Sequence, residues 1–139
     1  MRIFPILLML LFFGCDSAVT KEQLTQLNGY WEIDKVVLSD GYEKEYTINT
    51  VVDYFMFADM SGYRKKVQPL LDGTFDTSDD AQTFEIIANG EKFELHYKNE
   101  LSEWTETIET LDATSLILAN TEGVVYYYKK FESLNIDKQ

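Results

Sequence analysis

Glycine-containing turn pairs recur along this chain between short apolar runs, and this spacing most constrains its fold. The pairs are Asp40-Gly41, Ser61-Gly62, Asp72-Gly73, Asn89-Gly90 and Glu122-Gly123. Glycine adopts positive φ without steric cost, which suits tight hairpin turns. No long helical segment separates the runs, so a parallel βαβ arrangement is not expected. We predict an all-β fold, an antiparallel up-and-down meander that closes into a small β-barrel and so removes its exposed edges.

The clearest predicted hairpin joins residues 84–87 to residues 93–97 through Asn89-Gly90. In its second arm, apolar and polar residues alternate as in a half-buried antiparallel strand. Thr20 and Gln23 have capping-box spacing, so a short helical turn is predicted before Asn28. The other candidate strands are 30–38, 42–48, 51–57, 62–67, 74–77, 103–111, 114–119 and 124–131.

The N-terminal segment has the form of a secretory leader. Arg2 supplies a positive charge, residues 3–13 are an apolar run, and Cys15 is the only cysteine. The run is shorter than the roughly 20 apolar residues of a spanning helix. A lone cysteine cannot form an internal disulfide, so its position needs another explanation. One alternative is an ordinary signal peptide whose cleavage site lies near a cysteine.

The Gly14-Cys15 junction behind this apolar run resembles the lipobox of bacterial lipoproteins. That resemblance implies that Cys15 is lipidated, with palmitate among its acyl chains, and becomes the mature N-terminus. It also implies a protein of the bacterial cell envelope, anchored to a membrane through Cys15. The outer membrane is favoured over the inner one, with the domain in the periplasm or at the cell surface.

These features divide the chain into four parts. They are a signal peptide at 1–14, the lipidated cysteine with a tether and short helix at 15–28, a barrel domain at 29–132 and a C-terminal tail at 133–139. Residues 15–139 hold 11 basic and 24 acidic residues, a formal charge of −13. Such a surface repels phosphate backbones and anionic lipid, so no nucleic-acid partner is expected.

A Gly-x-Trp motif, Gly29-Tyr30-Trp31, stands at the first predicted strand. With its surroundings it resembles the lipocalin family, and more closely the lipocalin-like lipoproteins of Bacteroidota. The matching pieces are Leu27 to Trp31, 57–59, 73–75, 116–118 and 125–128. The resemblance implies that Trp31 closes the barrel base. The last strand lacks the arginine that stacks on this tryptophan in the family, and Lys129 or Lys130 is the candidate substitute.

Six apolar residues are the candidate lining of a ligand site inside this barrel. The alternative is that the same side chains simply fill the interior, because small barrels have little spare room. The six are Trp31, Phe55, Phe57, Phe93, Leu95 and Trp104.

Residues that could carry catalysis are few. His96, the only histidine, lies on the polar face of its predicted strand, and no second histidine or mature thiol could complete a metal site. Asp72, Asp76, Asp79 and Asp80 do not fit an EF-hand loop and are expected to be solvated. No nucleophile elbow, phosphate loop or redox pair is found. We therefore expect neither an enzyme, nor a metal, nor a cofactor.

Two functions follow from these expectations. The first is a membrane-anchored lipoprotein whose lipocalin-like domain binds a small apolar or amphipathic ligand. The second is a non-enzymatic envelope interaction or inhibitor protein, with a packed barrel core and a protein partner.

Overall fold

The structure, a computed structural model, describes residues 18–132. Within this range the all-β class and the short N-terminal helical turn are confirmed. The predicted signal peptide, Cys15 and the predicted tail at 133–139 lie outside the described residues. A 3-10 helix spans Glu22–Leu27. The strands are β1 (Gly29–Val37), β2 (Glu43–Glu45), β3 (Val52–Ala58), β4 (Ser61–Pro69), β5 (Phe75–Thr77), β6 (Gln82–Asn89), β7 (Lys92–Lys98), β8 (Glu103–Leu111), β9 (Ser115–Asn120) and β10 (Val125–Lys130).

Eight of these strands form a closed antiparallel barrel. They pair in the order β1, β3, β4, β6, β7, β8, β9 and β10, and β10 pairs back onto β1 with Trp31 opposite Lys130. Closure leaves the barrel without a free edge, because every strand has two neighbours. The two short strands lie beside this ring, β2 on β1 and β5 on β4.

The two ends of the barrel differ, and we call them the closed end and the open end. The closed end contains the 3-10 helix, whose Leu24 and Leu27 are fully buried. Thr20 and Gln23 make the reciprocal hydrogen bonds of the predicted capping box, at 2.7 and 3.3 Å. The open end contains the β7–β8 and β9–β10 turns. The helix therefore plugs one end of the barrel and leaves the other end to solvent.

One predicted turn is wrong by two residues. The glycine pair Ser61-Gly62 indicated the turn between β3 and β4, but the turn is Asp59-Met60, both at positive φ, 52° and 62°. Gly62 lies inside β4 instead, where a Cβ atom would stand 1.9 Å from the Met56 carbonyl oxygen. The glycine is needed here for a close backbone approach rather than for a turn.

Trp31 joins the closed end to the barrel wall. Its side chain is fully buried, and its indole Nε1–H donates to the Leu27 carbonyl at 2.9 Å. Lys130 lies over the ring, with Nζ 4.4 Å from the centroid, and donates to the Asn28 carbonyl at 2.6 Å. Lys130, of the two candidates, therefore occupies the position over the tryptophan. Gly29 makes room for it, since a Cβ there would stand 2.7 Å from Lys130 Nζ.

Replacing Lys130 by methionine is expected to lower the free energy of unfolding by about 1–2 kcal/mol, because a cation–π contact and a hydrogen bond are lost. Urea unfolding of the Lys130→Met and Lys129→Met variants measures this free energy. Lys129→Met is the control, because Lys129 is half exposed and its acceptors on Glu32 and Asp34 are 3.6 and 3.8 Å away. Its expected loss is about 0–0.5 kcal/mol. Equal losses in the two variants would contradict the role given to Lys130.

Candidate functional site

The candidate site is a charged cluster inside the open half of the barrel. Arg64 on β4 faces inward between Asp53 on β3 and Glu106 on β8. The two acidic residues are almost fully buried, with 3% and 6% of their surface exposed, and the Arg64 side chain is 12% exposed. Buried charges are costly unless they are paired, so this cluster needs a specific geometry.

That geometry uses every donor of the guanidinium. An arginine has five N–H donors. Arg64 Nε and Nη2 donate to the two Asp53 oxygens at 3.2 and 3.3 Å, and Nη1 donates to Glu106 at 2.9 Å. The two remaining contacts go to the hydroxyls of Tyr128 at 2.6 Å and Tyr97 at 3.4 Å. Arg64 is therefore saturated by acceptors of the protein itself.

Aromatic rings enclose the cluster. The guanidinium lies 5.0 Å from the Phe55 ring centroid and 5.6 Å from that of Tyr128. Tyr97 stacks on Trp104 with centroids 5.0 Å apart and planes 7° from parallel. Burial among these rings lowers the local dielectric constant, which strengthens the charge–charge interactions there.

The pKa values of the cluster follow from burial and from neighbouring charges. Burial acts to raise the pKa of Asp53, but Arg64 and Lys66 outweigh it and hold that pKa below 3.8. Lys66 contributes from the solvent side, with Nζ 2.7 Å from Asp53. Burial raises the pKa of the Tyr97 and Tyr128 hydroxyls. At neutral pH Arg64 and Asp53 are therefore charged, and both tyrosines keep their protons.

Above this cluster the barrel opens into a cleft of about 550 Å³, within the usual range for small-molecule sites. We call it the Arg64 cleft. It is lined by three basic, three acidic, three aromatic and three neutral polar residues. They are Arg64, Lys65 and Lys66; Asp53, Asp80 and Glu106; Trp104, Tyr126 and Tyr128; and Ser78, Gln82 and Asn120. The lining contains no aliphatic side chain.

Of the six predicted ligand residues, only Trp104 lines the Arg64 cleft. Trp31, Phe55 and Leu95 are fully buried in the core, and Phe57 and Phe93 pack against it half-buried. The structure thus places five of the six in or against the packed interior.

Sequence reasoning missed the residues at the floor of the cleft. Asp53, Arg64 and Glu106 were not among the predicted site residues. The available signal was the two-residue period of a strand, which places Asp53 with Phe55 and Glu106 with Ile108 on the inward face. A charged residue at an inward position of a predicted strand indicates a buried partner.

A second, larger depression of about 1050 Å³ lies outside the barrel, over β4, β6, β7 and β8. It contains His96, whose side chain is 40% exposed and whose Nε2 lies 3.1 Å from Glu94. Its floor shows no buried charged group, so we give it less weight than the Arg64 cleft. Between residues 18 and 132, no group of acidic, histidine or cysteine side chains is arranged to hold a metal ion. Nor does that stretch contain a helix of sufficient length and hydropathy to span a bilayer.

Comparison with known proteins gives one family match. The model of the lipocalin-like domain family matches residues 27–118. No curated protein sequence matches the chain. A solved lipocalin-like protein from Bacteroides uniformis is 19% identical, with a TM-score of 0.48, over 76% of this chain and 99% of its own. An uncharacterized protein from Bacteroides eggerthii is 14% identical, with the same TM-score and coverages.

Proposed function

We propose that this chain, which belongs to the lipocalin-like domain family, is a lipid-anchored envelope protein that binds a small amphipathic ligand in the Arg64 cleft. The family assignment supports a barrel that can hold a ligand. The lipobox-like junction at Cys15 supports the anchor. The observation that carries the binding proposal is the cleft itself, an opening that joins polar side chains to the aromatic faces of Trp104 and Tyr126.

The position of the 3-10 helix suggests how the domain would stand on its membrane. Six residues separate Cys15 from Glu22, where this helix begins. A chain of that length reaches at most about 25 Å when fully extended. An anchor at Cys15 would therefore hold the closed end towards the bilayer and direct the Arg64 cleft away from it. A ligand would then enter from the aqueous side.

Native mass spectrometry of the full chain, extracted gently from its own host membrane, tests the binding proposal. We expect a reproducible extra mass below about one kilodalton, as for one enclosed small molecule. Tyr126→Leu should lose that mass, because Tyr126 lines the cleft. Tyr127→Leu is the matched control, because the neighbouring Tyr127 points outward beneath Lys35, whose Nζ lies 4.6 Å from the ring centroid. A bare wild-type mass would refute ligand binding as proposed.

The anchor is tested separately by Cys15→Ser. We expect the wild-type chain to incorporate a labelled palmitate analogue and to sediment with membranes, and the variant to do neither. Incorporation of the label into Cys15→Ser would refute lipidation at this residue. The two experiments are independent, because one reports on the leader and the other on the barrel.

A second candidate function is supported by the exposed apolar residues. Ile48, Leu71 and Leu101, all in loops, are 87%, 84% and 95% exposed, while the barrel core is filled. Exposed apolar side chains mark sites of protein association when they form a contiguous patch. An envelope interaction protein would use these loops rather than the cleft. Crosslinking in cells that captures no reproducible partner through these residues would count against it.

A further inference from the structure

We infer that the ligand of the Arg64 cleft is an uncharged, hydroxyl-rich ring compound, of the saccharide class. This inference rests on the proposed function and names its ligand class. Three observations carry it: the saturation of Arg64, the balance of charge around the cleft, and the aromatic faces at its mouth.

The first observation concerns hydrogen-bonding capacity at the floor. A buried arginine in a ligand site suggests recognition of a carboxylate or phosphate. Here all five donors of Arg64 are already directed to Asp53, Glu106 and the two tyrosine hydroxyls. Those acceptors retain spare lone pairs, since each carboxylate oxygen can accept about two hydrogen bonds. The floor therefore offers carboxylate acceptors and protonated tyrosine hydroxyls but no spare donor on Arg64, and it suits a ligand with hydroxyl groups, which both donate and accept.

The second observation concerns charge. The three cationic residues that line the cleft are matched by three carboxylates, so its formal charge is zero. A charged ligand would lose its hydration without meeting a net opposite charge, and desolvating a charge is costly. The chain as a whole carries a net charge of −12, which further disfavours an anion. A neutral ligand avoids both costs.

The third observation concerns shape. One face of the Trp104 indole is covered by Tyr97. Trp104 and the half-buried Tyr126 both line the cleft. Flat aromatic surfaces favour a ring with an apolar face, such as the C–H face of a sugar. Ser78 and Gln82 provide both donors and acceptors around this surface, and Asn120 provides donors, because its Oδ1 already accepts from the backbone of Glu122 and Val124. A site with a flat apolar surface and surrounding hydrogen-bonding groups suits a saccharide.

The test compares four small rings by saturation-transfer NMR with the full chain in detergent. The probes are methyl glucoside, glucuronate, glucosamine and 2-(hydroxymethyl)tetrahydropyran. At about pH 6 the amine of glucosamine is protonated, and salt near 0.15 M screens the long-range field. We expect methyl glucoside to bind with a Kd of about 1 mM, and the other three about tenfold more weakly, because each lacks either neutrality or most of the hydroxyls.

Two variants test the site, and Gln82→Leu is the one that places it in the Arg64 cleft, because Trp104 also lines the outer depression. Trp104→Leu removes the aromatic face and Gln82→Leu removes one amide, and each should weaken methyl glucoside binding about tenfold. Gln26→Leu makes the same amide loss on the 3-10 helix at the closed end and should leave binding unchanged. Preferential binding of glucuronate or glucosamine would overturn the saccharide inference and leave the proposed function standing. Binding of none of the probes would also overturn it, and only a bare mass in native mass spectrometry would refute the proposed function.

Discussion

Replacing Arg64 by methionine is expected to cost about 3–5 kcal/mol of unfolding free energy, because Asp53 and Glu106 would remain buried without their shared cation. For a domain of this size the midpoint of thermal unfolding should fall by about 10–25 °C. Calorimetry at neutral pH measures the loss. Lys65→Met is the matched control, since it removes the same charge from the next residue of β4 and should cost about 0–0.5 kcal/mol.

The pH dependence separates this mechanism from a simple packing defect. In the wild type the lowered pKa of Asp53 gives stability that is present above its unfolded value, near 3.8, and is lost as the pH falls through the lower folded value. Arg64→Met should behave in the opposite way. A carboxylate buried without its cation takes up a proton more readily, so this variant should gain stability as the pH falls from 7 to 5. If Arg64→Met lost no more unfolding free energy than Lys65→Met, the role given to Arg64 would be contradicted.

A triple variant, Asp53→Asn with Arg64→Met and Glu106→Gln, completes the test. It removes all three charges together, so no carboxylate is left unpaired. We expect it to recover most of the stability lost in Arg64→Met, because replacing a whole buried ionic group is often close to neutral. Recovery would show that Arg64→Met loses stability because its buried carboxylates are left without a cation.

Trp31→Ala is expected to destabilise the domain by about 3–5 kcal/mol, because it opens a large cavity in the core. The change also removes the donor to the Leu27 carbonyl, which is the link between the helix and β1. Guanidinium unfolding measures the free energy, and amide exchange should show the earliest loss of protection in residues 22–27.

The second tryptophan provides the comparison. Trp104 is half-buried at the open half of the barrel and makes no hydrogen bond among the described contacts. Trp104→Ala should therefore cost less than Trp31→Ala and should leave exchange in the 3-10 helix unchanged. Equal destabilisation by the two substitutions would argue against a special role for Trp31 in closing the barrel.

Most of the fold was predictable because its determinants are local. Alternation of apolar and polar residues in 93–97 predicted β7. Asn89-Gly90 predicted the hairpin that leads into it, whose two turn residues are Gly90 and Glu91 because Asn89 pairs with Lys92. Thr20 and Gln23 predicted the start of the helix, and the structure makes both capping-box bonds. The exception was the turn at Asp59-Met60, where two residues without glycine adopt positive φ and the nearby glycine serves another purpose.

The candidate site was much less predictable because it is assembled from distant parts of the chain. Arg64 contacts Glu106 across 42 positions of sequence and Tyr128 across 64. Each residue alone reads as an ordinary polar residue of a strand. The aromatic residues that did attract attention are mostly in the packed interior, because hydrophobicity predicts burial and does not distinguish filling a core from lining a cleft.

The sequence by itself therefore determined the all-β class, nearly every strand and the capped helix, because turn chemistry and strand periodicity act over a few residues. The place of Trp31 at the barrel base was implied by the resemblance to lipocalins. Only the tertiary structure decided that Lys130, rather than Lys129, lies over Trp31, and that Asp53, Arg64 and Glu106 meet at the floor of a cleft. Closing the barrel sets the register between strands far apart in the chain, and register decides which buried charges become partners.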